Sequence, residues 1–95
     1  MPAYVLARVA VSKPEEYKKY VEASSGLAAK FGGRFVARGG RSVVLEGPPE
    51  GRRLVIIEFP SLLKAQEWYQ SPEYQQAKAF RAGAADAEFL VLEGV

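Results

Sequence analysis

The chain has 95 residues, 48% of them hydrophobic and 25% charged, with a formal net charge of +2, and this balance predicts one small globular domain. It contains neither cysteine nor histidine, which excludes disulfides, thiolate or imidazole metal sites, a cysteine nucleophile and a serine–histidine pair. Any general base must therefore be a carboxylate, a lysine, a tyrosine or a bound water, and no cofactor is expected.

The composition also bears on location and assembly. No apolar run approaches the roughly 20 residues that cross a bilayer, and the start MPAYVLARVAV lacks the pattern of a signal peptide. We therefore expect a cytoplasmic protein. Glutamate, arginine and lysine are frequent while asparagine is absent, a composition compatible with a thermophilic source. A core this small usually needs a supplement, and without disulfides or metals the remaining one is oligomerisation.

The first third of the chain is predicted to form a strand and a helix. Ala3–Val11 is apolar at both parities, which indicates a strand buried on both faces. Ser12–Glu15 has the pattern of a capping box and starts an amphipathic helix. Its apolar residues recur at spacings of three and four until Gly32-Gly33, where a left-handed cap is expected.

Two further strands are predicted in the middle of the chain. Arg34–Arg38 and Ser42–Glu46 form either a hairpin or, as we favour, one long strand bulged at Gly39-Gly40. After a turn rich in proline and glycine, Arg53–Phe59 has the strongest strand pattern in the chain.

The last third is predicted to form a helix in two parts and a final strand. The helix begins at Pro60-Ser61 and restarts at Ser71-Pro72-Glu73, where serine is a cap and proline occupies the first turn. The final strand is Ala87–Glu93. The resulting order, β-α-β-β-α-β, predicts an α+β fold in which a four-stranded antiparallel sheet carries both helices on one face.

Alternate residues of the central strands differ in polarity, and this assigns their faces. The purely apolar set is expected to face the helices: Val5, Ala7, Val9, Val11, Val55, Ile57 and Phe59. The mixed set is expected on the bare face: Tyr4, Leu6, Arg8, Ala10, Leu54, Ile56 and Glu58. That face would expose an aliphatic patch on the order of several hundred Å², so a partner should cover it.

Several stretches together resemble the domain of unknown function 1330 family over Met1 to Val95: PAYVLARVAV, KPEEYKKYV, GGRFVARGG, LVIIEFPS and EWYQSPEYQQAKAFRAGAADAEF. The resemblance implies a ferredoxin-like fold of the dimeric α/β-barrel superfamily, with two sheets packed face to face, and no established activity. Other branches include cofactor-independent monooxygenases, isomerases, haem-degrading enzymes and sensing domains. The lack of histidine removes the haem branches, and of the residues that monooxygenase branches place around a substrate only Trp68 is present.

Four charged residues interrupt otherwise apolar strands: Arg8, Arg38, Glu58 and Glu93. Because burying an unpaired charge is costly, such residues either form ion pairs or line a polar cavity. Glu58 is the best candidate for a catalytic base, since its apolar neighbours should favour the protonated acid unless an arginine offsets them.

Aromatic residues surround the break in the second helix. Trp68, Tyr69 and Tyr74 either form the wall of an aromatic ligand pocket or anchor the helix to the sheet or to another subunit. Arg81 lies on the same helix face as Tyr74, where it either binds a carboxylate or pairs with Glu73 or Glu88. Arginines are concentrated between residues 30 and 53 without a nucleic-acid motif, so no nucleic-acid partner is expected.

Two hypotheses follow. The leading one is a homodimeric small-molecule-binding domain, a sensor or accessory protein, with a pocket between sheet and helices near Arg38, Glu58, Trp68, Tyr74 and Arg81. The alternative is a cofactor-independent isomerase or monooxygenase acting on an acidic or aromatic metabolite, with Glu58 as base and Arg38 or Arg81 stabilising an anion.

Overall fold

The computed structural model describes residues 1–95, which form four strands and four helices. The strands are β1 (Ala3–Val11), β2 (Arg34–Arg38), β3 (Arg53–Phe59) and β4 (Ala85–Glu93). The helices are α1 (Pro14–Ser24), the short α2 (Leu27–Lys30), α3 (Leu62–Gln70) and α4 (Pro72–Ala79). None of these helices has the length and apolar character that crossing a membrane requires.

All neighbouring strands are antiparallel, in the order β2-β3-β1-β4. The α+β ferredoxin-like fold expected from the element order is confirmed. The limits predicted for β1, β2 and β3 match the structure, whereas β4 begins at Ala85 rather than Ala87.

The predicted faces of the sheet are also confirmed. Apolar side chains of one parity are buried beneath the helices, with Val5, Ala7, Val9, Ile57 and Phe59 each at most 4% exposed. Val11, at the strand end, is exposed. The opposite face, which we call the open face, has no helix over it and carries Leu6, Ile56 and Leu90 side by side in register.

The start of α1 differs from the predicted capping box. Pro14 is the first helical residue, so the cap position falls on Lys13, whose side chain makes no capping hydrogen bond. Ser12 remains at the strand end, and its hydroxyl donates to the carbonyl oxygen of Ala84 at 3.1 Å. The serine therefore ties β1 to the turn before β4 instead of capping the helix.

The first predicted helix is interrupted once. Gly26 adopts φ +77° between α1 and α2, a conformation that favours glycine. The left-handed residue expected after the helix is present at Gly32, with φ +82°. The break at Gly26 divides the predicted helix into α1 and α2, and α2 still ends just before the predicted glycines.

The strand predicted over Ser42–Glu46 is wrong, because residues 40–52 form no regular element. The Gly39 amide still donates to the Leu54 carbonyl at 2.8 Å, but β3 begins at Arg53 and offers no further partner. A segment of high strand propensity without a partner gains no ladder of hydrogen bonds. The irregularity in β2 lies between Phe35 and Ala37, not at the glycines.

Ion pairs hold the end of this irregular segment against the sheet. The Glu50 carboxylate accepts hydrogen bonds from the Arg52 side chain at 2.8 and 2.9 Å and from the Arg52 amide at 3.0 Å. Arg8 lies 3.7 Å from the same carboxylate, and Arg52 also bonds to Glu88. The hydrogen bonds from Arg52 lower the pKa of Glu50 to about 2.

We expect part of the protein's stability to be lost between pH 4.5 and about 2 through protonation of Glu50. A carboxyl group whose pKa is lower in the folded state stabilises that state fully above its ordinary pKa, and the effect disappears as the pH falls through the folded value. Thermal unfolding of wild type and Glu50→Gln should therefore differ near neutral pH and converge at the acid end. A difference that stays constant over this range would contradict the assignment.

Candidate functional site

A narrow cleft lies between α1 and the helix-covered face of the sheet, and we call it the inner cleft. It encloses about 60 Å³. Its walls are mainly apolar and aromatic, and they include Tyr17, Tyr20, Val55, Phe35, Trp68 and Phe89. Such a surface suits the apolar body of a small organic molecule.

Three arginines stand in or beside the inner cleft, and we call them the cleft arginines. Arg38 and Arg53 line the wall, and the Arg38 guanidinium stacks over the Phe35 ring at 4.2 Å. Arg81 lies behind the Tyr20 and Phe89 rings, 5.2 and 5.0 Å from their centroids. None of the three forms a salt bridge, and no carboxylate lines the cleft.

Arg81 is the most deeply placed of these cations. It follows α4 in the turn before β4 and is only 8% exposed. One of its terminal nitrogens lies 3.5 Å from the Tyr74 hydroxyl, while its buried Nε has no hydrogen-bond partner. It pairs with neither acid considered from the sequence, since Glu88 bonds to Arg52 and Glu73 forms no salt bridge. Arg81 is therefore a buried cation without an acidic partner.

Two buried tyrosines meet beside Arg81. The hydroxyls of Tyr20 and Tyr74 are 2.8 Å apart, which joins α1 to α4. Burial raises the pKa of both hydroxyls, and for Tyr20 the nearby Tyr74 adds to the rise. Both therefore stay protonated at neutral pH, so they can donate hydrogen bonds but are poor bases.

The pKa of the Tyr17 hydroxyl depends on the charges of all three cleft arginines. Burial raises the pKa of its hydroxyl, and Tyr20 raises it further. The positive charges of the three cleft arginines oppose that rise. The cleft arginines thus make the surroundings of this hydroxyl favourable for negative charge.

A second cavity, which we call the outer cavity, lies between α3 and β4 and measures about 240 Å³. Trp68 and Tyr69 line it together with Gln66, and Trp68 and Phe89 also belong to the inner cleft. The two rings therefore stand between the two spaces, with their centroids 6.5 Å apart.

The structure places five of the six residues predicted from the sequence on the helix side of the sheet. Arg38 and Trp68 line the inner cleft and Tyr69 lines the outer cavity. Tyr74 and Arg81 do not line the cleft but lie against rings that do. Trp68 packs against Phe59, Tyr69, Tyr74 and Phe89 and is only 4% exposed, so it does anchor the helix to the sheet.

Glu58 is separate from this group, contrary to the pocket expected from the sequence. Side chains alternate along β3, and the parity of Glu58 is opposite to that of Val55 and Ile57. Its carboxylate accepts hydrogen bonds from Arg34 Nε at 2.7 Å and from the Tyr4 hydroxyl at 3.3 Å. Glu58 is thus an ion-paired residue of the open face.

Sequence reasoning missed three residues of the site. Arg53 shares the parity of Val55, Ile57 and Phe59, and this parity already indicated the helix side. Tyr17 and Tyr20 were expected only as apolar positions of α1. Their hydroxyls acquire a role because α1 lies over the arginines, which no local pattern reveals.

Comparison with solved structures identifies relatives of the fold. A protein of unknown function from Rhodopseudomonas palustris is 28% identical, with a TM-score of 0.74 over 99% of this chain and 82% of the other. A dimeric ferredoxin-like protein of unknown function from Thermobifida fusca is 16% identical, with a TM-score of 0.65 over 99% and 92%. SnoaB, a cofactor-independent oxygenase from Streptomyces nogalater, is 13% identical, with a TM-score of 0.68 over 99% and 93%.

Among proteins of curated function none matches the sequence. The family model described as domain of unknown function (DUF1330) matches residues 2–95. The match spans the same elements that build the sheet and the inner cleft, and the chain therefore belongs to the DUF1330 family.

Proposed function

We propose that this protein is a homodimeric small-molecule-binding domain, a sensor or accessory protein, whose ligand enters the inner cleft. The observation that carries the proposal is an aromatic cleft with arginines around it and no carboxylate to neutralise them. Charged groups of one sign beside an apolar wall are typical of a ligand site. A cytoplasmic location, expected from the sequence, is part of the same proposal.

The open face supports a second copy of the chain as the partner. An apolar row crosses all four strands of this face, and its residues are Ala37, Ile56, Leu6 and Leu90. Leu90 and, one row further, Leu92 are 51% and 61% exposed. Charged side chains flank the row, with Arg34 and Glu58 paired on one side and Arg52 and Glu88 on the other. An apolar strip with polar margins fits the same strip of a second copy across a two-fold axis.

Relatives of the same fold from Bacteroides fragilis and Thermobifida fusca are described as dimeric. In a face-to-face dimer the second sheet covers the open face and leaves the inner cleft free on the other side. Dimerisation and ligand binding then use opposite faces of one sheet, so they do not compete.

Cofactor-independent oxygenation or isomerisation is the alternative function, and the fold shared with SnoaB favours it. It needs a group that removes a proton from the substrate. Glu58, the base suggested by the sequence, lies on the other face of the sheet, and the tyrosines beside the inner cleft stay protonated. We therefore favour binding over turnover.

A thermal-shift screen with aromatic acids, quinols and lactones tests the proposal. A ligand that binds only the folded state raises the unfolding temperature by mass action. We expect at least one class to do so, and expect Arg38→Gln and Trp68→Phe to reduce the shift. Arg41→Gln is the control, because Arg41 lies in the irregular segment outside the cleft wall. Hits that survive both cleft variants would show that the pocket lies elsewhere.

A further inference from the structure

We propose that the ligand of the inner cleft is an organic anion, a carboxylate on a flat apolar body, and that Arg81 binds the carboxylate. This inference rests on the proposed function and names the chemical class of the ligand. Its first support is the charge of the site. Arg38 and Arg53 line the cleft, the Arg81 guanidinium lies 5.2 Å from the centroid of the Tyr20 ring, and no acid is among the lining residues.

The second support is the unfinished hydrogen bonding of Arg81. Its Nε is buried and has no partner, and its guanidinium makes one long hydrogen bond, to the Tyr74 hydroxyl. A buried guanidinium normally has an acceptor for its donors, and buried polar atoms without one are rare. A carboxylate satisfies the Nε and one terminal nitrogen of an arginine together, in two parallel hydrogen bonds.

The surroundings of Arg81 select an anion over a neutral group. The Tyr20 and Tyr74 hydroxyls bond to each other, and the Tyr74 oxygen accepts the long hydrogen bond from Arg81. Because both hydroxyls stay protonated, neither brings a negative charge to the guanidinium. A neutral amide or alcohol would leave the positive charge of Arg81 uncompensated. A carboxylate neutralises it.

The size of the inner cleft limits how the ligand enters. Its volume of about 60 Å³ is about four to six times the roughly 10–15 Å³ that a cavity needs to hold one water. Arg81 does not line this space, and its guanidinium lies against the Tyr20 and Phe89 rings, which do. One of these rings must turn to admit the carboxylate, while the flat body stays among the aromatic walls.

Benzoate and its neutral counterpart benzamide are the probes. We expect benzoate to raise the unfolding temperature at millimolar concentration and to bind about 10- to 100-fold more tightly than benzamide, the difference expected for hydrogen bonds to a charged group. Arg81→Gln should lose this preference. Sodium chloride at equal ionic strength controls for a general salt effect.

Nuclear magnetic resonance of the arginine Nε–Hε groups provides a second measurement in the wild-type protein, so it does not depend on a variant that folds. Benzoate should move the Arg81 signal, assigned by through-bond correlation to the Arg81 backbone amide, because its Nε gains an acceptor. The Arg34 signal is the internal control, since its Nε already donates to Glu58, and it should stay in place.

The outcomes separate this inference from the proposed function. If benzamide binds as well as benzoate through the cleft residues, the proposed function stands and the inference of an anionic ligand is wrong. If the Arg81 signal does not move at saturating benzoate, or if benzoate does not bind at all, the assignment of Arg81 as an anion site is wrong, whatever the wider screen finds.

Discussion

A Leu90→Lys variant is expected to be monomeric at micromolar concentrations at which we expect the wild-type chain to form the proposed dimer. Leu90 lies on the open face beside Leu6 and is 51% exposed in the protomer, so the change removes contacts of the proposed dimer rather than of the fold. Light scattering across a dilution series measures the mass directly. The unfolding temperature of the wild type should also rise with protein concentration, whereas that of the variant should not.

The expected effect is large because a two-fold interface contains every substitution twice. Burying the exposed half of each leucine contributes about 1 kcal/mol, and burying a lysine instead costs several kcal/mol. For two copies the change is about 8 kcal/mol, which weakens association by about 10⁵- to 10⁶-fold.

Leu63→Lys is the control for this experiment. Leu63 is a leucine of α3 with a similar exposure of 62%, and it lies away from the open face. We expect this variant to remain a dimer. A wild-type chain that scatters as a stable monomer at micromolar concentration would contradict the face-to-face arrangement, and so would a dimer that tolerates lysine at position 90.

The central strands could be predicted from the sequence because side-chain alternation is a signal that each strand carries in itself. In β1 and β3 the purely apolar parity marks the buried face, as Val5 and Ile57 show, and the mixed parity marks the open face, as Leu6 and Ile56 show. The helix cap at Ser71 could be predicted in the same way, because the signal is a serine directly before a helical proline. Ser71 does accept a hydrogen bond from the Tyr74 amide.

Features that depend on distant partners could not be predicted in the same way. Ser42–Glu46 has the composition of a strand, but whether it becomes one depends on a neighbour that β3 does not provide. Ser12 has the spacing of a capping box, yet its hydroxyl bonds to Ala84, far away in the chain. In both cases residues distant in the chain decide the local structure, by lacking a strand partner in the first case and by supplying an acceptor in the second.

The sequence predicts which residue types form the candidate site, but not which of these residues come together. Glu58 has apolar neighbours in the sequence whichever face of the sheet it occupies, and these neighbours suggested a buried base. Its parity within β3 indicates the open face instead. Arg81 and Tyr74 do lie close together, although α4 ends at Ala79 and Arg81 lies in the following turn rather than on the predicted helix face. Their contact with Tyr20 depends on the packing of α1 against α4, which the spacing within either helix does not contain.

Replacing Trp68 by alanine is expected to lower the free energy of unfolding by about 3 to 5 kcal/mol, because a buried aromatic ring is lost and a cavity remains. Trp68 is 4% exposed and its ring centroid lies 5.3 Å from that of Phe59 and 4.5 Å from that of Tyr74. At about 4 to 8 °C per kcal/mol for a domain of this size, the unfolding temperature should fall by about 12 °C or more. Trp68 is the only tryptophan, so the alanine variant has no tryptophan fluorescence, and its unfolding is followed by circular dichroism instead.

Trp68→Phe keeps an aromatic ring in the same place and should cost less, about 1 to 3 kcal/mol. The pair of variants separates the two roles that the residue combines, because the alanine variant measures its part in the core and the phenylalanine variant leaves a folded protein in which ligand binding can be measured. If Trp68→Ala unfolds within about 1 kcal/mol of the wild type, a value typical of surface changes, the ring contributes little to the core. Its position between the inner cleft and the outer cavity would then have to be explained by the ligand.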